Sequence, residues 1–460
     1  MKGKLKIRFE WGMIAAIFAL AWPTMLQELL QTAVQYIDTA MVGALGTEAT
    51  AAVGSTTTVN WLVNSSVSAL GIGFLSFIAR SLGAGDKEKA AKASAQAVLI
   101  VIIVGVFFTV ATLSLSSFVP VWMKVDEEIQ GLAARYFFIL YSPMLFRSAN
   151  IIFSTVLRAA GDTKTPMLVG LVINIVNVVL NFFLIFPTRI IKVFSLEFCM
   201  FGAGWGVEGA AVASAISFAV GGVLITIALM RNPLVSPKGH SIKPLGEILR
   251  PCLRVALPNM CQRFATSFGY VAFASMINSL GEISTAAHTI ANTVESAFYI
   301  PGYGMQAAAA TMAGNALGAK DRNKLLSLTR MIVLIEVVLM IVTGGLLFIF
   351  APWMMSLFTK DAQVIALGSV VLRMVAVSEP FYGVSIVVEG MLQGVGKTMM
   401  PFVINIIGMW GIRIVGTFIC ITFWGMGLVS AWACMILHNL LLFAMFLAYW
   451  LKKGRKLIQD

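Results

Sequence analysis

The sequence predicts an all-α polytopic membrane protein with twelve transmembrane helices in two pseudo-symmetric six-helix lobes. Three observations carry that expectation. Of 460 residues, 59% are hydrophobic and 12% charged, and the mean hydropathy is +0.89; a water-soluble domain of this composition could not cover its apolar surface. The apolar runs are about 20 to 25 residues long, enough for a helix to cross roughly 30 Å of hydrocarbon, and strand-like alternation is absent, which excludes a membrane β-barrel. The third observation is a parallel repeat in which segments recur 235 residues apart.

In chain order the spans are expected near residues 12–44, 50–80, 91–119, 130–158, 166–187, 205–230, 251–280, 285–315, 325–351, 364–393, 401–423 and 426–451. Their loops alternate in charge. Lys2, Lys4, Lys6 and Arg8 precede the first span; Arg80, Lys87, Lys89 and Lys92 follow the second; Arg158 and Lys164 follow the fourth; Arg231, Lys238, Lys243 and Arg250 follow the sixth. Lys320, Arg322, Lys324 and Arg330 follow the eighth, Lys397 the tenth, and Lys452, Lys453, Arg455 and Lys456 end the chain. The opposite loops hold only Lys124, Arg189, Lys192 and Lys360. By the positive-inside rule the basic set is cytoplasmic, and so are both termini. The net charge of +12 thus reads as topology. Nucleic acid is not an expected partner; the lipid bilayer is, and anionic headgroups suit the same loops. The N-terminus "MKGKLKIRFEWG" leads into a run longer than a signal-peptide core and reads as a retained tail.

The repeat is legible without gaps. "AWPTMLQ" at 21–27 lies over "ALPNMCQ" at 256–262, "LGTEATAA" at 45–52 over "LGEISTAA" at 280–287, "LGAGD" at 82–86 over "LGAKD" at 317–321, and "LRAAGDTKTP" at 157–166 over "LQGVGKTMMP" at 392–401. An even number of spans separates the copies, so they share one orientation and suggest a substrate path between the lobes. The polar stretch "RNPLVSPKGHSIKPLGE" is the natural connection, giving an N-terminal lobe at 1–230, a cytoplasmic linker at 231–249 and a C-terminal lobe at 250–460.

Several further segments sharpen this. Pro23 lies fifteen residues before Asp38 in the first span, "GALGTEATAAVG" joins spans 1 and 2, "LGAGD" follows span 2, "RAAGDTKTP" joins spans 4 and 5, and "AAHTIANTVESAFYIPGYG" fills span 8. In their order and within the repeat they resemble the multidrug and toxic compound extrusion (MATE) family over essentially the whole chain. The lack of an acid in span 7 and the wording of span 8 are more similar to the DinF-like branch than to the NorM-like one. The resemblance implies a secondary antiporter of a prokaryotic inner membrane that exports small molecules against H+ or Na+.

Asp38 is the first candidate for chemistry. A carboxylate in a low-dielectric lobe has its neutral form favoured, so protons or Na+ can compete with a cationic substrate for it. The residue also lies near the outer interface, where it could simply be hydrated; the resemblance favours the coupling role. Pro23 removes a helical hydrogen bond and permits a bend, and the resemblance makes it the hinge of span 1, with Pro258 as its repeat partner. Asn174, Asn177 and Asn181 are spaced by three and four residues, hence on one face of span 5. In many relatives the last position is an aspartate, which leaves coupling here more dependent on Asp38. Ser154 and Ser214 approximately match family positions around the same cluster, and interhelical packing is an equal reading of both. Na+ at Asp38, Asn177 and Asn181 is the one metal-like occupant considered. His288 and Glu295 share a face of span 8 and are the C-terminal-lobe candidates. Arg413 is expected to pair with Glu379 or Glu389, while Glu28 and Arg263 occupy equivalent repeat positions.

Other classes find little support. "GVGKT" at 394–398 lacks the upstream glycine spacing of a nucleotide-binding loop; five scattered cysteines and three histidines form no metal or disulfide framework. No cofactor and no enzymatic activity are expected. The expectation is a monomeric antiporter working by alternating access on amphipathic, cationic substrates, with 25 Met and 31 Phe available for adaptable cavity walls. The alternative is a flippase of lipid-linked oligosaccharide or peptidoglycan precursors from the same superfamily, which would want several arginines in the first lobe.

Overall fold

The computed structural model describes residues 11–123, 125–193 and 196–453. The tail lysines and arginines at 2–8 and 455–456, together with Lys124, lie outside the described residues. In chain order the helices are α1 (Trp11–Gly43), α2 (Thr47–Gly83), α3 (Lys87–Leu115), a short α4 (Val119–Trp122), α5 (Glu127–Tyr141), α6 (Met144–Ala159), α7 (Lys164–Leu184), α8 (Gly206–Arg231), α9 (Gly246–Asn278), α10 (Glu282–Gly318), α11 (Arg322–Ser356), α12 (Ala362–Gly394), α13 (Met399–Ile406), α14 (Val415–Phe418) and α15 (Leu428–Lys453). Wide π-turns at Ile407–Ile414 and Ile419–Phe423 join α13 and α14 into one span.

Nine spans among the described residues are long and apolar enough to cross a membrane on their own, and α5 with α6 makes a tenth. Helices α9 and α10, 33 and 37 residues long, complete the twelve. They are more polar because each carries residues that wall an internal cavity.

Two local departures from the sequence reading have physical causes. The span expected at 130–158 is broken: Ser142 and Pro143 separate α5 from α6, which diverge by 51°. Proline supplies no N–H and clashes with the preceding turn. The loop before α8 contains an antiparallel hairpin, β1 (Pro187–Val193) and β2 (Leu196–Ala203), with Arg189 opposite Met200 and an irregularity between Pro187 and Arg189. The hairpin's strands, seven and eight residues long, lie in the connection between α7 and α8.

The lobes exchange their first turns. Ile17 and Ala21 of α1 pack in the apolar core of the second half, against residues such as Ala309 and Met331, whereas Val42 near the end of α1 belongs to the core of the first half. Reciprocally, Cys252 of α9 is buried in the first half's core, and it lies 235 residues after Ile17. At the ends bearing the "LGAGD" and "LGAKD" turns the contact is backbone to backbone. A Cβ at Gly83 would sit 2.1 Å from the Asn315 carbonyl oxygen and one at Gly318 would sit 2.0 Å from that of Arg80. The two contacts are related by the repeat offset, so α2 and α10 cross at the pseudo-two-fold axis. Ser76 Oγ also donates to the Gly394 carbonyl at 2.9 Å. Toward the opposite ends of these helices the lobes separate, and Trp61 and Val271, 45% and 56% exposed, line the gap.

Candidate functional site

Asp38 sits where α1 has joined the first half, facing α7. Asn181 Nδ2 donates to Asp38 Oδ1 at 2.5 Å. In the amide orientation that satisfies both of its polar atoms, Asn177 Nδ2 donates to Asp38 Oδ1 at 2.8 Å and Oδ2 at 3.2 Å, and its carbonyl accepts from Ser214 Oγ at 3.1 Å. Asn177 and Asn181 are 5% and 1% exposed. Asp38 is therefore held by amides of a neighbouring helix, and Asn181 Oδ1 remains buried without a partner beside it.

The other predicted members of this cluster stand apart. Asn174, one turn further from Asp38 on α7, makes no side-chain hydrogen bond among the described residues, and neither does Ser154 on α6, which is 5% exposed. Three amides on one face do not become three ligands, because one turn of helix, about 5.4 Å, carries Asn174 past the carboxylate.

Pro23 is buried within a continuous α1, between Ala21 and Met25, which both pack with the second half's core, and well before Met41 and Val42 reach the first half's core. It cannot donate to the Ala19 carbonyl four residues earlier. That carbonyl accepts instead from Thr163 Oγ1 at 3.4 Å. In the second half Thr398, the repeat equivalent of Thr163, donates to the Val255 carbonyl at 2.8 Å, one turn before Pro258. The carbonyl that Pro258 leaves without a helical donor is that of Arg254, so the threonine meets the freed carbonyl itself in the first half alone.

A cavity of about 830 Å³ opens between the lobes. It takes Thr24 and Glu28 from α1, while Asp38 does not line it; α1 thus connects the carboxylate cluster to the cavity. His288 and Glu295 of α10 both line it, but they do not bond each other. The His288 ring stands edge-on to Phe273 and Trp432 at 5.6 and 5.8 Å.

Arg413 is not in the ion pair expected for it. Among the described residues none joins it to Glu379 or Glu389; the guanidinium lies over the rings of Phe273 and Tyr270 at 4.1 and 5.0 Å. Glu389 accepts instead from Gln262, Gln393 and Asn405 at 2.8, 3.0 and 3.2 Å, and Glu379 is wholly buried behind the cavity wall. The wide turn Ile407–Ile414 holds Arg413, and at Gly408 within it a Cβ would sit 2.6 Å from His438 Cδ2.

The cavity walls also differ from expectation. Tyr270, Tyr299, Tyr303, Tyr382 and Trp61 contribute aromatic surface, whereas among the described residues the lining takes one Met, Met435, and one Phe, Phe273. Arg158, assigned by sequence to a cytoplasmic loop, lies in the last turn of α6, lines the cavity and donates to Gln27 Oε1 at 2.8 Å. Its helical spacing from Ser154 was the available signal. Glu28 and Arg263 both face the cavity without forming an ion pair.

The family model MatE matches residues 23–183 and 258–419, two segments that begin 235 residues apart. A protein of Thermotoga maritima named "Probable multidrug resistance protein NorM" is 28% identical over 421 residues, covering 91% of this chain and 88% of that protein. "Probable multidrug resistance protein YoeA" of Bacillus subtilis is 24% identical, covering 94% and 93%. Among solved structures, a MATE protein in complex with MaL6 superposes with a TM-score of 0.89 at 25% identity, covering 97% and 98%. A MOP superfamily transporter from Pyrococcus furiosus gives 0.86 at 26% identity, covering 97% of each chain. The crystal structures of MATE in bent and straight conformations give 0.86 and 0.87, both at 26% identity and covering 96% and 97% of each chain respectively. With two MatE segments spanning its repeat and relatives covering nearly its full length, the chain belongs to the MATE family and is a multi-pass membrane transporter, not an enzyme.

Proposed function

We propose that this protein is an antiporter of a prokaryotic inner membrane that exports amphipathic compounds through the interlobe cavity in exchange for H+ or Na+, with Asp38 as the coupling residue. The observation that carries the reading is the division of α1. One half lines the cavity at Thr24 and Glu28, the other presents Asp38 to Asn177 and Asn181, and Pro23 stands directly before the cavity-lining Thr24. Occupying Asp38 with a cation changes the charge at one end of a helix whose middle touches the substrate path. A bend at Pro23 carries that change to the cavity. Alternating access then needs only that the two lobes rock about the α2 and α10 crossing.

With the basic loops cytoplasmic, the closed contact at Gly83 and Gly318 is the inner one, and the cavity faces outward. Na+ has a reasonable donor set in the Asp38 carboxylate and the unpartnered Asn181 Oδ1, and a proton needs the carboxylate alone. Flux of a fluorescent substrate in proteoliposomes, with a proton gradient or a sodium gradient imposed alone, separates the ions; no substrate movement under either gradient contradicts the antiport reading. Tight, selective binding of a lipid-linked pyrophosphate contradicts it in favour of a flippase.

A further inference from the structure

We propose that Cys420 and Cys434 are a disulfide-forming pair at the outer ends of the last two spans, and that their bridge fastens the wide turn of one span to the helix that walls the interlobe cavity. The inference rests on the topology read from the basic loops and is independent of ion coupling at Asp38.

The two sulfurs are 3.8 Å apart. A disulfide has an S–S distance of about 2.05 Å, so closure asks the thiols to approach by about 2 Å, which rotation about the two Cα–Cβ bonds can supply. Both residues are half-buried, and among the described residues no other two cysteine sulfurs are in contact. They stand 14 positions apart in the chain, a spacing that reveals nothing until the two helices are packed.

The backbone fixes both partners. The short connection at 424–427 folds back on the first cysteine: the Met426 N–H donates to the Cys420 carbonyl at 2.9 Å and the Trp424 N–H to the Ile419 carbonyl at 3.3 Å. Gly425, at φ +60°, permits that reversal. On the other side Gly416, one turn before Cys420, leaves the room that the second thiol occupies; a Cβ there would sit 3.2 Å from Cys434 Sγ. Cys434 thus packs against the missing side chain of one residue and the thiol of another on the facing helix.

Their depth gives the pair its chemistry. Lys397 precedes this span and Lys452 lies at the far end of α15, so the connection at 424–427 is the outer one. The exposed rings of Phe423 and Trp424 mark the interface there. Cys434 is roughly 9 Å below the start of α15 at the helical rise. Thiols on this side meet an oxidising compartment, where disulfides persist. The step is exchange with a small external disulfide, RSSR. One cysteine thiolate attacks a sulfur of RSSR and expels RS⁻, which takes up the proton that the cysteine lost. The second thiolate attacks the first cysteine's sulfur in the mixed disulfide and expels the other RS⁻, which takes up the second proton. Two protein thiols and RSSR become one protein disulfide and two RSH, a two-electron oxidation of the pair.

The neighbours of the bridge define what it holds. Cys420 lies in the wide turn Ile419–Phe423, and the same span carries Arg413 in the wide turn Ile407–Ile414. Arg413 lines the cavity together with Met435, His438 and Asn439 of α15. Turns of this width are rare and recur at functional sites, and two of them leave the span less regular than an α-helix. A covalent tie at its outer end keeps it on α15, so that this part of the cavity wall moves as one piece.

For the test, intact cells expressing the full-length chain are treated with membrane-permeant N-ethylmaleimide before lysis, and the purified chain is digested without reductant and read by mass spectrometry. The expected product is a peptide pair joined through Cys420 and Cys434, two hydrogens lighter than the separate peptides, which comes apart on phosphine reduction. Thermal unfolding in nanodiscs is the second readout. Reduction should lower the melting temperature of the wild-type chain by about 2 to 5 °C and leave those of Cys420→Ser and Cys434→Ser unchanged. Recovery of both cysteines as maleimide adducts, or of either joined to a different cysteine, overturns the proposal. So does a wild-type melting temperature that ignores the reductant, or one that falls equally in the serine variants. Neither readout needs a substrate or an ion gradient, so failure here is distinct from failure of Asp38-dependent antiport, and labelling at positions 236 and 282 reads the topology separately.

Discussion

At the residue scale, the account assigns separate tasks to two groups of charges. Asp38 sits among amides that can hold either its ionised form or a bound cation, and the arginines and Glu295 face the cavity. Asp38→Asn is expected to keep expression and folding yet lose ion-driven efflux, because an amide cannot exchange a charge. Asn181→Ala removes a hydrogen bond and no titrating group, so uptake into inverted vesicles should fall by about two- to tenfold; a complete loss equal to that of Asp38→Asn would contradict this ranking. The facing of Asp38 and Asn181 was legible because helical spacing puts Asn177 and Asn181 on one face and an acid in a lipid-length run has few sensible neighbours. Arg158 was not. It stands three residues before a Gly-Asp turn, and sequence cannot tell whether the last turn of a helix points to cytoplasm or inward between lobes. The tyrosines were missed for a related reason: composition counts side chains without saying which of them face one space.

Helices α1, α2 and α10 carry the motion in the proposed mechanism. Pro23 and Pro143 look alike in sequence, yet one sits in a continuous helix and the other ends one. The difference is in the neighbours: Thr163 takes up the Ala19 carbonyl that Pro23 leaves free, whereas the chain at Ser142 and Pro143 turns by 51°. Pro23→Ala restores the missing hydrogen bond and stiffens α1, so transport should fall several-fold while the melting temperature holds or rises. A variant that transports normally would remove the hinge from the mechanism. At the α2 and α10 crossing, Gly83→Leu places a side chain against the Asn315 backbone. The closed contact should lose about 1 to 3 kcal/mol, and a cysteine pair across it should cross-link less readily than in the parent. Undiminished cross-linking would mean that the contact yields elsewhere. The wide turns around Arg413 were not foreseeable, and neither was the packing of His438 of another helix against Gly408, because sequence does not say which helices meet.

For the whole molecule, the repeat at an offset of 235 made the two-lobe plan legible, and it also underlies the reciprocal packing of Ile17 and Cys252 in opposite cores. Sequence alone suggested that each half keeps its own helices; the exchange appears only once both halves are packed, because apolar residues carry no label for the core they enter. The topology argument predicts that, in a cysteine-free background, Ser236→Cys is protected from a membrane-impermeant maleimide in intact cells and Glu282→Cys reacts; the opposite pattern would invert the proposed direction of transport. The central claim is that one carboxylate on α1 links ion entry to substrate exit. Its most direct test is substrate flux in proteoliposomes holding the wild-type chain or Asp38→Asn, with an imposed H+ gradient or Na+ gradient as the sole driving force. The account predicts accumulation driven by at least one ion in the wild type and none by either ion in the variant, while both chains bind the fluorescent substrate. Equal gradient-driven accumulation by the two chains would contradict it.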